Sequence, residues 1–247
     1  MADVLLEAHQ VTRRFGGLTA VNDVSFTVEQ GAAVGLIGAN GAGKTTLFNC
    51  LTGFDKPTSG DVRLRGKSLL KMPRHKVVHS GVSRTFQIVR PFPDLPVIAN
   101  VMVPLIAAGV KGDVKAEAFG VLMRVGLAGK AADPSSQLSE GDLKRLEMAR
   151  ALATKPTLLL LDEPFAGLSQ NEIGLLSDTI RQLRDEGVTL VVVEHKIGSL
   201  IALVDRVIAM DQGAVIADGD PQSVMRDPAV VSAYLGGGSF GEQSDEQ

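Results

Sequence analysis

The chain has 247 residues, 45% of them hydrophobic and 21% charged, with a formal net charge of −3. That suits a soluble globular protein with a sizeable core, and it argues against the basic stripe of a nucleic-acid binder, so no nucleic-acid partner is expected. No apolar run approaches the ~18 residues of a membrane helix, Asp3, Glu7 and His9 break any signal-peptide core, and a lone Cys50 excludes an internal disulfide and points to a reducing compartment.

Along the chain, Val24, Phe26 and Val28 alternate with Ser25 and Thr27. This period of two predicts antiparallel strands with one solvated face. The runs at 34–37, 158–161 and 190–193 are apolar without alternation, as in parallel strands buried on both faces and joined through helices. Right-handed crossovers then gather ligands at the carboxyl ends of those strands. The basic stretch 63–76 reads as a solvated face. Pro91, Pro93 and Pro96 stiffen a connector, and 101–126 reads as mostly helical, a helical insert within the α/β body. The glycine-rich polar tail 236–247 reads as disordered.

GANGAGKT at 38–45 matches the pattern G-x-x-x-x-G-K-[ST] in full, after an apolar strand and before a helix predicted over 46–52 that Gly53 ends. Glycines let the backbone N–H groups curl inward, and the helix N-terminus adds positive partial charge. The cradle comprises Gly38, Asn40, Gly41, Ala42, Gly43, Lys44, Thr45 and Thr46. Lys44 spans the β- and γ-phosphates and the Thr45 hydroxyl ligates Mg²⁺. Small-molecule kinases, GTPases and motors share this cradle, so it establishes triphosphate binding alone.

Asp162 and Glu163 close the run TLLLLDEP. In this position Asp162 holds Mg²⁺ and Glu163 orients and polarises the attacking water. His195 closes VTLVVVEH at the corresponding sheet edge, where it can donate to the γ-phosphate and the attacking water. In LSEGDLKR, Ser139 and Asp142 form a capping box expected to start a helix at Leu143. Ser139 and the Gly141 N–H also make a second anion site. Two phosphate sites in one chain are explained by a head-to-tail dimer, with the cradle of one copy facing the cap of the other across ATP.

Taken in order, GANGAGKT, Gln87, LSEGD, LLLLDEP and His195 resemble the ABC-transporter ATPases over about residues 4–235. RFGGLTAVNDVSF, GVSRTFQ and AYLG are similar to the ATPases of branched-chain amino-acid importers. The resemblance implies an α/β P-loop NTPase with a mostly parallel core sheet, an N-terminal antiparallel β subdomain and a helical subdomain at about 88–150. The ATPase domain would span 1–235 and the flexible tail 236–247. It implies that Phe15 stacks on adenine, that Gln87 serves Mg²⁺ and the attacking water, and that the cofactors are ATP and Mg²⁺. It further implies two transmembrane permease subunits, a second ATPase subunit, an extracytoplasmic binding protein acting indirectly, and a peripheral location at the cytoplasmic face of the membrane. The alternative is a soluble ABC ATPase serving iron–sulfur assembly. Two departures stand out: LSEGD replaces LSGGQ, which brings Glu140 and Asp142 near a triphosphate, and Ser169 replaces the usual Asp after Ala166-Gly167-Leu168.

Overall fold

The computed structural model describes residues 3–86 and 89–236. Gln87 and the tail from 237 lie outside the described residues.

Two sheets build the chain. β1 (Val4–Phe15) and β2 (Leu18–Glu29) pair antiparallel, and β4 (Ser59–Leu64) with β5 (Lys67–Ser68) extends them in the order β2-β1-β4-β5. Val21, Val24, Phe26 and Val28 face the core while Asn22, Ser25 and Thr27 face solvent, as the alternation predicts. The second sheet runs β10-β9-β3-β8-β7-β6, from β3 (Ala33–Ile37), β6 (Val82–Arg84), β7 (Leu158–Asp162), β8 (Thr189–Val193), β9 (Arg206–Asp211) and β10 (Ala214–Gly219). All neighbours in it are parallel except β10, which returns antiparallel on β9.

The continuous apolar runs arise because this sheet divides two cores. Leu159, Leu161, Leu190 and Val192 belong to one cluster, and Leu158, Leu160, Val191 and Val193 to the other. Successive side chains of a strand point to opposite faces, so a strand covered on both sides must be apolar at every position. The first core is covered by α3 (Val97–Ala107), α4 (Val114–Arg124), α5 (Glu140–Leu152) and α6 (Gln170–Asp185). The second holds α1 (Lys44–Leu51), with buried Cys50, and Val77 of α2 (Arg74–His79) against the antiparallel sheet. Burial pushes the Cys50 thiol up to about 11, so it behaves as a small apolar group. After β8 come α7 (Ile197–Ile201), then β9 and β10, and finally α8 (Pro221–Arg226) and α9 (Pro228–Gly236).

Two helix starts are corrected. The helix after the cradle starts at Lys44 rather than 46, because Gly43 is its cap, and Gly53 follows it at φ 66°. The stretch 101–126 is mostly helical as expected, in two helices separated where Gly109 and Gly112 take φ of 73° and 103° and where Asp113 caps α4 through the N–H groups of Lys115 and Ala116. Helix α5 begins at Glu140, not Leu143, because Ser139 is the N-cap and the aspartate three residues on already lies inside the first turn.

The interruption of the apolar run at Asn100 has a structural reason. Fully buried Asn100 accepts the Phe92 N–H at 2.8 Å and its amide donates to the carbonyls of Phe92 and Pro96 at 3.2 Å, which fastens the proline connector to α3.

Candidate functional site

β3 delivers the cradle to its carboxyl end. Gly38, Gly41 and Gly43 take φ of 153°, 84° and 97°, values that L side chains rarely adopt. At Gly43 the Ala20 carbonyl also fills the space a side chain would need. Asn40, Gly41 and Thr45 face solvent, and Ala42 is buried against β2 and the β9–β10 turn, where its carbonyl accepts the Gly213 N–H at 3.1 Å. Lys44 is buried, and its ammonium donates to the carbonyls of Gly38 at 2.6 Å and Ala39 at 3.0 Å. Burial lowers its pKa, while the nearby charges of Glu163 and Asp162 press it back up.

Asp162 ends β7 with its side chain only 4% exposed, and the Arg84 guanidinium donates to its Oδ2 at 2.8 Å. Burial raises the Asp162 pKa and Glu163 adds to that, against the pull of Arg84 and Lys144. Thr45, Asn49, Arg84 and Asp162 line one cleft of about 520 Å³ beside the cradle.

Glu163 takes φ 48°, strained for a residue with a side chain, and its N–H donates to the Val193 carbonyl at 2.9 Å. That turn aims its carboxylate at His195. In its Nε2-protonated tautomer His195 donates to Glu163 Oε1 at 3.0 Å. The two residues that the sequence places at neighbouring strand ends therefore meet directly.

At the start of α5 the Ser139 hydroxyl accepts the Asp142 N–H at 3.2 Å. The Asp142 carboxylate pairs with Lys130 and Arg145 and is also hydrogen-bonded by the Ser139 side chain. The Glu140 carboxylate lies over Gly167 and the Glu172 carboxylate over Gly141. Ser169 has a role of its own: with Glu172 it forms a reciprocal capping box that starts α6. Asp142 is thus held by its own chain, while Glu140 is an exposed side chain lying over Gly167.

Phe15, 45% exposed, sits opposite Leu18 at the β1–β2 tip with the Arg13 guanidinium 4.4 Å from its ring centroid. The residues flanking Gln87 are held from one helix: Glu147 accepts the Phe86 N–H, and Arg150 donates to the Arg90 carbonyl at 3.0 Å.

Sequence reasoning missed Arg84 and Glu194. Glu194 is 2% exposed and bonds three backbone N–H groups, those of Phe165, His195 and Lys196. The available signal was a charged residue in or directly after a strand buried on both faces, where an unpaired charge is prohibitively costly.

Comparison with known proteins gives a consistent result. The family model described as "ABC transporter" matches residues 21–166, and one described as "Branched-chain amino acid ATP-binding cassette transporter" matches residues 214–239. The chain is 40% identical to the high-affinity branched-chain amino acid transport ATP-binding protein BraF of Pseudomonas aeruginosa, over 96% of this chain and 99% of that one. Identity is also 40%, over the same shares, to the corresponding protein LivG of Escherichia coli. Among solved structures, the ADP conformation of an ABC-transporter cassette superposes with a TM-score of 0.85 at 29% identity, covering 94% of this chain and 99% of that one. A dimeric cassette in a post-hydrolysis state with ADP and Pi gives 0.81 at 26% identity, covering 88% and 99%.

Proposed function

The chain belongs to the ABC transporter family of ATP-binding subunits, and from that membership we propose that it powers import of branched-chain or other hydrophobic amino acids, or related amides, through separate membrane subunits. It is an ATPase. The observation that carries the importer reading is identity spread over nearly the whole of two branched-chain transport proteins, together with the match of 214–239 to their characteristic C-terminal segment. The soluble iron–sulfur assembly reading gains no support from these relatives.

Lys44 leaves the carbonyls of Gly38 and Ala39 for the β- and γ-phosphate oxygens, a move favoured because phosphate offers a full opposite charge where the carbonyls offer dipoles. Thr45 and Asp162 line one cleft and would supply hard oxygen donors to Mg²⁺, a cation that prefers such ligands. When bound it neutralises charge on the phosphate oxygens. Glu163 orients a water for in-line attack, and His195 fixes the carboxylate through its Oε1.

A second copy faces the cradle with its Ser139 and Gly141 N–H across ATP. Phe15 stacks on the adenine, and Gln87 serves the cation and the attacking water. A groove of about 370 Å³, lined by Phe54, Val77, Val78, Phe86 and Pro104, receives the membrane subunit. Helices α3 to α5 move with it as a subdomain. Among the described residues no helix is long and apolar enough to cross a membrane, and the subunit works peripherally at the cytoplasmic face.

The test is uptake. Cells whose only copy carries Lys44→Ala should lose ATP-driven uptake of labelled leucine, isoleucine and valine while keeping uptake of a basic amino acid. Unchanged branched-chain uptake would overturn the substrate assignment.

A further inference from the structure

We propose that Arg84 is the resident counter-ion of Asp162: its guanidinium holds the carboxylate until a divalent cation arrives with the triphosphate, so that free cation does not bind ahead of nucleotide. The proposal rests on the assignment of Asp162 to the cation.

Arg84 closes β6, the edge strand beside β7, with its side chain 8% exposed. One arm of the guanidinium donates to Asp162 Oδ2 at 2.8 Å and another to Asn49 Oδ1 at 2.7 Å. The Phe86 ring centroid lies 4.6 Å from its central carbon. Asn49 is one helical turn beyond Thr45, so the two share a face of α1. The guanidinium therefore bridges α1 and β7 at the place where Thr45 and Asp162 line the cleft.

When ionised, a carboxylate this buried and next to Glu163 needs a positive partner. Arginine fits the task because it stays charged and its planar fork serves two acceptors at once. When Asp162 turns to a cation, the Asn49 bond and the Phe86 face still hold the guanidinium. Its charge then stays near the triphosphate instead of being stranded. With Arg84 in place, a free cation competes for Asp162 against a bonded positive charge, and phosphate oxygens tip that competition.

Manganese titration of nucleotide-free protein, read by electron paramagnetic resonance of free Mn²⁺, tests this. Arg84→Gln should bind Mn²⁺ on the order of tenfold more tightly than wild type, a typical coupling between competing ligands. Arg84→Lys, which keeps the charge but loses the fork, should fall between. The gain should vanish in Arg84→Gln combined with Asp162→Asn. Binding by Arg84→Gln equal to or weaker than wild type overturns the proposal.

The unmodified protein gives a second readout by side-chain NMR of labelled arginine. The Arg84 signal should shift with ADP and Mg²⁺ but not with ADP in EDTA. A shift in both conditions, or in neither, counts against the exchange. If Asp162→Asn binds Mn²⁺–nucleotide as tightly as wild type, the cation assignment itself fails and the proposal fails with it. If Asp162→Asn loses that binding while Arg84→Gln leaves free Mn²⁺ binding unchanged, the role of Arg84 alone is refuted.

Discussion

Glu194 carries its carboxylate from the end of β8 to the Phe165 N–H, 2.6 Å away, and its second oxygen takes the N–H groups of His195 and Lys196 at 2.8 and 3.1 Å. One buried side chain thus ties the turn after Glu163 to the backbone of the histidine that meets Glu163. Both halves of the contact at 3.0 Å hang on it.

Glu194→Gln should lower kcat for ATP hydrolysis by about tenfold to a hundredfold, since small misplacements of a catalytic group carry costs of that order. The amide has a single acceptor, and its NH₂ then faces a backbone donor. The KM for ATP should stay within about twofold, because Lys44 and the cradle lie elsewhere. Steady-state kinetics read the split, and a KM that rises in step with any fall in kcat rules out a positioning role at the water.

The division between what the sequence revealed and what it hid follows from distance along the chain. The buried strands were legible because each residue of 158–161 and 190–193 must satisfy one of two cores, which leaves a local imprint. Glu163 and His195 were legible because each ends such a strand. Arg84 and Glu194 were not, since the partners that give them their roles, Asp162 and Phe165, lie 78 and 29 residues away. The start of α5 is hidden because Ser139 caps from outside the helix, and the next three residues read as loop. The placement of Glu140 depends on Gly167, which is distant in sequence.

Glu163→Gln keeps the shape of the side chain and removes its charge. Nucleotide binding should survive, hydrolysis should fall by at least about a hundredfold, and an ATP-bound dimer should accumulate on gel filtration. A monomeric variant with undiminished turnover would show that another group orients the water.

Gly167 takes φ 78° with the Glu140 carboxylate directly above it. Gly167→Ala should cost about 1–3 kcal/mol in chemical denaturation from the backbone conformation, since the carboxylate of Glu140 ends a flexible side chain and can swing aside. A double variant with Glu140→Ala should therefore give additive losses, and a recovery in it would show that Glu140 is pinned over Gly167.

Asp142 gives a pH test of stability. Burial opposes its ionisation, but hydrogen bonds from Lys130 and Ser139 and the charges of Arg145 and Lys130 outweigh it, so its folded pKa lies below the ordinary carboxylate value. A depressed folded pKa contributes stability that is complete above the unfolded value of about 4 and is lost as pH falls through the folded one. Asp142→Asn should therefore be less stable than wild type at neutral pH by about 1–2 kcal/mol, as for a charge-assisted hydrogen bond partly open to solvent. The gap should begin to narrow as the pH drops below about 4 and close as it falls through the folded pKa, where native wild type takes up the proton. Denaturant midpoints from pH 7 down to about 2 measure it, and a gap that stays constant across that range would show that Lys130 and Arg145 do not hold the carboxylate ionised.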